Sequence, residues 1–386
     1  MATTTFSHLL SPANIGKLTL RNRILMTPMG SNLAQADGHC GERIQRYYEE
    51  RAKGGAGLVT VGVGAITWPE GSCNPNQVAV SDDIFLPGLQ ALTQRVHQHG
   101  CKAAIQLQHA GKVAVCDIAA GRPMLVPSIP PHQSGDMMQA LTPAEMAAFV
   151  SNYTAEGAKV AYKVATQSDI DWLVEKFAEA ADRAKRAGFD AVELHAGHGY
   201  ILSEFLSPNI NKREDHYGGS LENRARLLVE VIQAVKQKVG ADFPVWCRID
   251  AKEFRVEGGI VFADAQRTAE IAEAAGADAI HVSAYGNPAI GVAFTDAPLV
   301  QKPAGFVDFA AGIKQRISIP VIAVGRIEPE LADKIIAEGK ADFVAMGRKL
   351  LADPELPNKL SAGRAGDIRP VFTVIPALAR YLLISR

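Results

Sequence analysis

The stretch AGFDAVELH (187–195) decides the fold, because it joins a small-residue turn to a short, largely apolar run. Such a stretch predicts a helix that ends at glycine, a tight turn and then a buried β-strand. The same pattern occurs in three further stretches, KGGAGLVTVG (53–62), AGADAIHVS (275–283) and EGKADFVAMG (338–347). Four copies of one turn-and-strand pattern indicate a repeated helix–strand unit.

Four more runs have the composition of buried strands: RILMTP (23–28), AAIQLQ (103–108), VWCRI (245–249) and PVIAV (320–324). Helical patterns separate the strands, as in residues 222–239 and 263–276. Buried strands that alternate with helices are typical of a parallel sheet covered on both faces. The eight repeats favour an α/β fold of the (β/α)8, or TIM, barrel type. An open doubly wound sheet is less favoured, because TPMGSNL (27–33) lacks a G-x-G-x-x-G fingerprint.

Composition narrows the class of ligand. The chain has 386 residues, and its 40 basic and 41 acidic residues leave a net charge of −1. This balance predicts a small-molecule ligand, with no nucleic-acid or membrane partner, and leaves a homo-oligomer open.

The five cysteines include no C-x-x-C pair, so we expect neither zinc nor an iron–sulfur cluster. The chain starts with no secretory leader and has no apolar run near the ~20 residues of a membrane span, so we expect a cytoplasmic protein.

A cluster of ring side chains follows the fourth predicted strand, where TIM barrels hold their active sites. His195 and His198 are three positions apart in a turn and can both donate hydrogen bonds to one oxygen. Tyr200 can then deliver a proton from another direction. One alternative is a pair of structural core histidines. Another is a metal site completed by Asp250 or Glu193, which the Gln, Arg and Gly residues at the other strand ends make weaker.

Strand alternation also assigns Glu193. If Val192 and Leu194 face the helices, Glu193 and His195 face the barrel axis. A carboxylate buried there needs a partner, and Arg248 or a histidine could serve. We expect Glu193 to support the structure rather than react.

Two Gly-Arg pairs predict a phosphate site. Gly325-Arg326 and Gly347-Arg348 follow the seventh and eighth predicted strands. Glycine lets backbone N–H groups approach phosphate oxygens, and arginine adds a bidentate charge. Because the last two loops of such barrels often hold phosphate, we expect a phosphorylated cofactor or substrate here.

The least regular segment, residues 109–167, follows the third predicted strand. An insertion of this length at the mouth of a barrel can form a lid over the pocket. The alternative is an excursion that only packs on the surface.

Several stretches together resemble the old yellow enzyme family of FMN-dependent ene-reductases. They are most similar to its branch related to bacterial 2,4-dienoyl-CoA reductases and other NADH:flavin oxidoreductases, and the match covers about residues 6–370. The stretches that carry it are LRNRILMTPMG (20–30), RYYEERAKGGAGL (46–58), IQLQHAGK (105–112), HAGHGYILSEFLSPNINKREDHYGGSLENRARLL (195–228), VGRI (324–327) and MGRKLLADP (346–354).

The resemblance implies FMN bound at the mouth of the barrel, with no metal ion. The two Gly-Arg pairs would hold its phosphate, and its ring would lie across the strand ends. Arg248 would stand near the flavin N1–C2 carbonyl, where its charge stabilises the reduced anion. The implied cofactor-binding residues are Pro28, Met29, Gly30, Gly62, Gln106, Arg248, Gly325, Arg326, Gly347 and Arg348.

The implied reaction has two halves. NADH or NADPH reduces FMN, and the reduced flavin N5 then gives hydride to the β-carbon of an α,β-unsaturated carbonyl compound. His195 and His198 would hold the carbonyl oxygen, and Tyr200 would protonate the α-carbon. Tyr285 could contact substrate or only pack. The competing functions are an FMN-dependent amine demethylase or dehydrogenase, and a flavin-binding barrel without turnover.

Besides a segment around residues 143–175 that is longer than expected of a simple family member, the chain departs from the family at two places. Gly30 stands where many relatives carry Thr or Cys, so no side chain there tunes the flavin. After GDIRP (366–370), the dienoyl-CoA-reductase-like relatives continue into an iron–sulfur segment and a pyridine-nucleotide domain. Here residues 371–386 contain no cysteine. We therefore expect an FMN barrel over residues 1–370, reduced directly at its mouth, and a tail that is a truncated or frameshifted remnant.

Overall fold

A computed structural model of the protein describes residues 6–131, 160–286 and 303–371, and within them eight parallel strands close into a barrel. This confirms the predicted TIM-barrel class. The second, fifth and sixth strands run further than the sequence predicted, to Ala65, Phe254 and Gly286. The barrel strands are Ile24–Met26, Leu58–Ala65, Lys102–Gln108, Ala191–Ala196, Val245–Phe254, Ile280–Gly286, Val321–Val324 and Phe343–Met346.

Helices cover the outside of the barrel. The helix Gln167–Arg186 begins at a capping box, in which the side chains of Thr166 and Asp169 each bond to the other's backbone N–H. The predicted helix 222–239 is divided at Ala225. The described helices are Glu42–Lys53, Leu86–His97, Val115–Ala119, Gln167–Arg186, Ile201–Leu206, Leu221–Arg224, Arg226–Val239, Phe262–Ala274, Val307–Lys314, Pro329–Ala337, Arg348–Ala352 and Leu356–Ser361.

The barrel closes between its first and last strands, at a place we call the seam. Ile24 of the first strand pairs with Val344 of the eighth. Next to this pair, Nη1 of Arg23 donates to the backbone carbonyl of Asp342 at 3.0 Å. The residues joined at the seam are therefore more than 300 positions apart in the sequence.

The barrel interior has an apolar layer at the N-terminal ends of the strands, which we call the bottom layer. A hairpin of strands Ala13–Ile15 and Leu18–Leu20 closes this end. Ala191 belongs to the layer, whereas Val192 and Leu194 pack with the helices outside, as alternation predicted. The layer consists of Ile15, Leu18, Leu20, Leu25, Leu58, Ala104, Ala191, Trp246, Ala279, Ile322 and Phe343, and the same apolar cluster extends up the barrel interior to Val324 and Ala345.

The predicted insertion is described only at its two ends. There, the strand Met124–Val126 pairs in parallel with Tyr162–Val164. Residues 132–159 lie outside the described part, so the lid over the mouth stays a prediction. The same holds for the tail from residue 372 onward. Across the described residues, no helix is both long and apolar enough to cross a bilayer.

Candidate active site

A cavity of about 380 Å³ opens at the C-terminal ends of the barrel strands, where the sequence placed the site. Its lining brings together nearly all the predicted site residues from six different strand ends. The predicted residues in the lining are Pro28, Met29, Gly30, Gln106, His195, His198, Tyr200, Arg248, Gly325, Arg326, Gly347 and Arg348.

His195, His198 and Tyr200 form one compact cluster in this cavity. The ring centroids of the two histidines are 4.8 Å apart, and those of His195 and Tyr200 are 4.5 Å apart. His195 is the next-to-last residue of the fourth strand, whereas His198 has a positive φ of 63° between two glycines. This turn lets the chain bring the second histidine back beside the first, and Tyr200 is the N-cap residue of the helix Ile201–Leu206.

The two histidines are neutral. Burial lowers the pKa of both rings well below the usual range, and the nearby positive charge of Arg248 lowers it further. Nδ1 of His195 is buried and has no hydrogen-bond partner among the described residues. In His198 the ring nitrogen with a partner is Nε2, 2.8 Å from Oγ of Ser283. Both rings line the cavity, so we expect a ligand to meet the remaining nitrogens, Nε2 of His195 and Nδ1 of His198.

Tyr200 is held in its protonated form. Burial, followed by the neighbouring Cys73, raises the pKa of its hydroxyl well above the usual range. Its Oη lies 3.4 Å from Sγ of Cys73, and burial raises the pKa of that thiol to about 12. Two neutral groups are thus in contact, and either can donate to the other. Sequence reasoning missed Cys73, because a lone cysteine in a loop carried no signal.

Glu193 lies inside the barrel below the cluster and accepts three hydrogen bonds. The donors are Nε2 of Gln106 at 2.5 Å, Nε1 of Trp246 at 2.6 Å and Nδ1 of His281 at 2.8 Å. Burial alone would raise the pKa of this carboxyl, but His281 and Arg248 outweigh burial and leave it lowered. The predicted need for a partner is met by a histidine, and Gln106 is oriented with its amide nitrogen toward the carboxylate.

Arg248 forms the charged wall of the cavity and is 4% exposed. Its Nη1 donates to Oγ1 of Thr27 at 3.3 Å, and its Nη2 donates to Oγ of Ser283 at 3.2 Å. These bonds fix a buried cation beside the neutral histidines. A ligand that carries or develops negative charge is favoured at this wall.

The two Gly-Arg pairs meet on one side of the cavity, as predicted. Gly325 and Arg326 both have positive φ, of 116° and 52°, which turns the chain sharply after the seventh strand. A Cβ at Gly347 would come within 2.9 Å of the Thr27 side chain, so the backbone there packs closely against the first strand. Lys349 also lines the cavity and forms an ion pair with Glu328.

Two predicted residues stand behind the lining. Gly62 forms a parallel bridge with Gly30, and a Cβ on Gly62 would lie 2.5 Å from the backbone N of Met29. It therefore sets the position of the loop after the first strand. Tyr285 is 5% exposed, and a Cβ at Gly199 would lie 3.2 Å from its hydroxyl. It therefore packs behind residues 195–200, which we call the histidine turn. Direct ligand contacts of both residues stay predictions.

The other candidate from the sequence was a metal site. Within the described ranges, no group of three or more His, Cys, Asp or Glu side chains is placed to hold a metal ion. Asp250 instead accepts hydrogen bonds at Oδ2 from the backbone N–H of His198 at 2.6 Å and from Oγ of Ser203 at 3.2 Å. It holds the histidine turn in place.

A family model described as NADH:flavin oxidoreductase / NADH oxidase matches residues 8–367. The chain is similar to an NADH oxidase of Thermoanaerobacter brockii, with 40% identity over 372 residues, 95% of this chain and 52% of that protein. It is also similar to an NADPH dehydrogenase of Bacillus licheniformis, with 36% identity over 351 residues, 90% of this chain and 92% of that protein.

Among solved structures, the chain resembles a 2-naphthoyl-CoA reductase in complex with 2-naphthoyl-CoA. The TM-score is 0.82 at 27% identity, over 95% of this chain and 54% of that chain. The chain spans about half the length of three curated relatives that it matches, the Thermoanaerobacter protein among them.

Proposed function

Because the chain belongs to the NADH:flavin oxidoreductase / NADH oxidase family, we propose that it is an FMN-dependent ene-reductase for α,β-unsaturated carbonyl compounds. Membership confirms the resemblance to old yellow enzyme relatives and makes the protein an oxidoreductase. One observation carries the finer proposal: two neutral histidines and a protonated tyrosine converge in one cavity. We take NADH or NADPH as the reductant.

The residues of the cavity fit FMN. The pairs Gly325-Arg326 and Gly347-Arg348 would hold its phosphate, since both offer backbone N–H groups beside a guanidinium. The buried cation of Arg248 suits the electron-rich edge of the flavin ring. When bound, FMN would supply the hydride that reduces the alkene.

The histidines would bind the carbonyl oxygen of the substrate. His195 buries Nδ1 without a partner, and a buried unpaired N–H costs more than an unpaired lone pair, so its proton belongs on Nε2 at the cavity. With an N–H of His198 beside it, the pair would hold the oxygen and polarise the double bond. Both donors are neutral, which keeps them from protonating the substrate oxygen outright.

Tyr200 would give its proton to the α-carbon. Its raised pKa keeps the hydroxyl protonated at neutral pH, so Tyr200 has a proton to donate. Cys73 lies 3.4 Å from the hydroxyl oxygen and would donate to the tyrosinate left after transfer. Arg248 also favours that anion, because its positive charge lowers the pKa of Tyr200, whereas burial and Cys73 raise it.

The route by which electrons arrive is part of the proposal, because longer relatives contain about as much chain again. We propose that NADH or NADPH enters the cavity itself. The NADPH dehydrogenase of Bacillus licheniformis, matched over 92% of its length, supports this route. Negligible turnover with NADH and NADPH, in a protein that still reduces an enone after dithionite reduction, would place electron entry elsewhere.

The test is an anaerobic reoxidation experiment. Purified protein is first denatured to release and identify its flavin, and native protein is then reduced and mixed with 2-cyclohexenone. We expect stoichiometric FMN and rapid return of the oxidised flavin spectrum, with no return in the saturated control cyclohexanone. Protein that binds no FMN contradicts the proposal. Protein that binds FMN but is reduced by an amine and ignores cyclohexenone is an amine dehydrogenase instead.

A further inference from the structure

Glu193 holds the side chain of Gln106 in one orientation. The two residues are paired on neighbouring strands of the barrel, and Glu193 is 1% exposed. Nε2 of Gln106 donates to Oε1 of Glu193 at 2.5 Å. Nε1 of Trp246 and Nδ1 of His281 donate to Oε2. Both oxygens of this carboxyl are therefore engaged by N–H donors.

The amide of Gln106 cannot turn over without a cost. An ionised carboxylate only accepts hydrogen bonds, whereas an amide has a donor end and an acceptor end. A reversed amide would bring its oxygen against Oε1 of Glu193 with no proton between them, which leaves two buried acceptors unpaired. Glu193 stays ionised because its donors and Arg248 outweigh the effect of burial on its pKa.

We propose that Glu193 is a positioning residue for the cofactor, which acts by directing the carbonyl Oε1 of Gln106 toward the cavity. Gln106 lines the cavity, so we expect a ligand to meet Oε1 as a hydrogen-bond acceptor. This inference rests on the FMN binding of the proposed function. The pyrimidine edge of a flavin has an N–H donor at N3, between two carbonyl groups. An amide held with its oxygen forward suits N3–H and is oriented before the flavin arrives.

Glu193 has other effects from which positioning must be separated. It stabilises the barrel interior through Trp246 and His281, and its charge interacts with that of Arg248. Glu193→Gln and Glu193→Met both remove this charge and nearly conserve the length of the side chain. Only the glutamine retains an acceptor for Nε2 of Gln106. The difference between the two variants therefore reports the orientation of Gln106.

The direct test is ¹H–¹⁵N NMR of protein loaded with ¹⁵N-labelled FMN, because a hydrogen bond moves the N3 proton signal downfield. We expect a downfield N3 proton in wild type and in Glu193→Gln. In Glu193→Met the amide of Gln106 can turn, so the signal should move upfield toward its position in Gln106→Met. Trp246→Phe is the matched control. It removes another donor to the same carboxylate but leaves Gln106 bonded, and it should keep the wild-type signal.

FMN affinity gives a second readout that needs no turnover. Glu193→Met should weaken FMN binding about tenfold, and Glu193→Gln should recover most of this loss. If Glu193 acts through Gln106, the two effects cannot add. The double variant Glu193→Met/Gln106→Met should then bind FMN no more weakly than Gln106→Met alone.

The outcomes separate this inference from the proposed activity. A wild-type N3 signal in folded Glu193→Met, or losses of affinity that add in the double variant, overturns the inference. So does a wild-type signal equal to that of Gln106→Met, even if Glu193→Met does not fold. The expected N3 signals in a protein that reduces no enone sustain the role of Glu193 and overturn only the ene-reductase. A protein that binds no FMN overturns both.

Discussion

Along the fourth barrel strand, the inward side chains change from apolar to polar within five residues. The same change separates the bottom of the barrel from its mouth. At the bottom, Ala191 packs into an apolar layer beside Trp246 and Phe343. Two positions on, Glu193 carries a fully bonded charge, and two further on, His195 faces the cavity. Inward positions two residues apart thus belong to successive layers. Inside the barrel, the apolar layer lies toward one end of the strands and the reactive groups lie at the other.

The largest expected effect tests the bottom layer. Phe343→Ala removes a fully buried ring beside the N-terminal hairpin and should lower the free energy of unfolding by about 3–5 kcal/mol. Chemical denaturation measures it, with Phe343→Leu as a control that refills most of the volume. Because this residue lies at the opposite end from the cavity, the folded variant should keep its rate with cyclohexenone. A large loss of rate in folded protein would show that the two ends are coupled.

The next effect tests the mouth. Tyr200→Phe removes the proposed acid and should slow reoxidation by cyclohexenone about 100-fold, or about 2.7 kcal/mol in the barrier. Stopped-flow absorbance measures it, and denaturation should show nearly wild-type stability. Reduction by NADPH is the internal control, since it needs no proton from this hydroxyl. Equal slowing of both half-reactions would remove Tyr200 as the proton donor.

A third prediction concerns the stability cost of polar groups at the mouth. Burial, followed by Glu253, raises the pKa of Asp250 from 3.8 to about 7. The fold therefore favours the protonated carboxyl, and the unfolded chain favours the ionised one. Raising the pH from 5 to 7 should lower the free energy of unfolding by about 2 kcal/mol through this group. Asp250→Asn, which still accepts from the His198 N–H, should lack that loss. Parallel pH profiles for the two proteins would contradict it.

The smallest effect tests the backbone next to the cavity. Gly62→Ala would place a methyl group 2.5 Å from the backbone N of Met29, so the loop after the first strand must move. We expect FMN affinity to fall about tenfold, measured by fluorescence titration of the apoprotein. Gly366→Ala is the control, because Gly366 does not line the cavity and a Cβ there meets no atom within 4 Å. Equal affinities in the two variants would contradict the positioning role of Gly62.

Much of the barrel and its mouth follows from local patterns in the sequence. The glycine turns mark where each strand begins, and alternation within VELH assigned Val192 and Leu194 to the outside. Residues at the strand ends then had to share one edge of the sheet. This is why His195 and Arg248, 53 positions apart, were both expected at one site, and the structure confirms that they line one cavity.

Contacts between particular side chains were not predictable in this way. Glu193 bonds to His281, 88 positions away, and this contact depends on which strands become neighbours and in what register. His281 and Ser283 alternate on one face of the sixth strand, so the period within AIHVS could have identified both as inward. The division of the helix at Ala225 had no such signal, because the apolar pattern continues across it.

The seam described above has a consequence for biosynthesis. The first strand is made early, but it must wait for residues 343–346 before its partner on that side exists. Until then, a growing chain has a sheet with two open edges and an uncovered apolar interior, which is a surface that chaperones bind. The ring of strands therefore cannot close before the eighth strand has been made. A chain that stops just before the eighth strand should fail to fold, although it already contains every residue of the histidine turn.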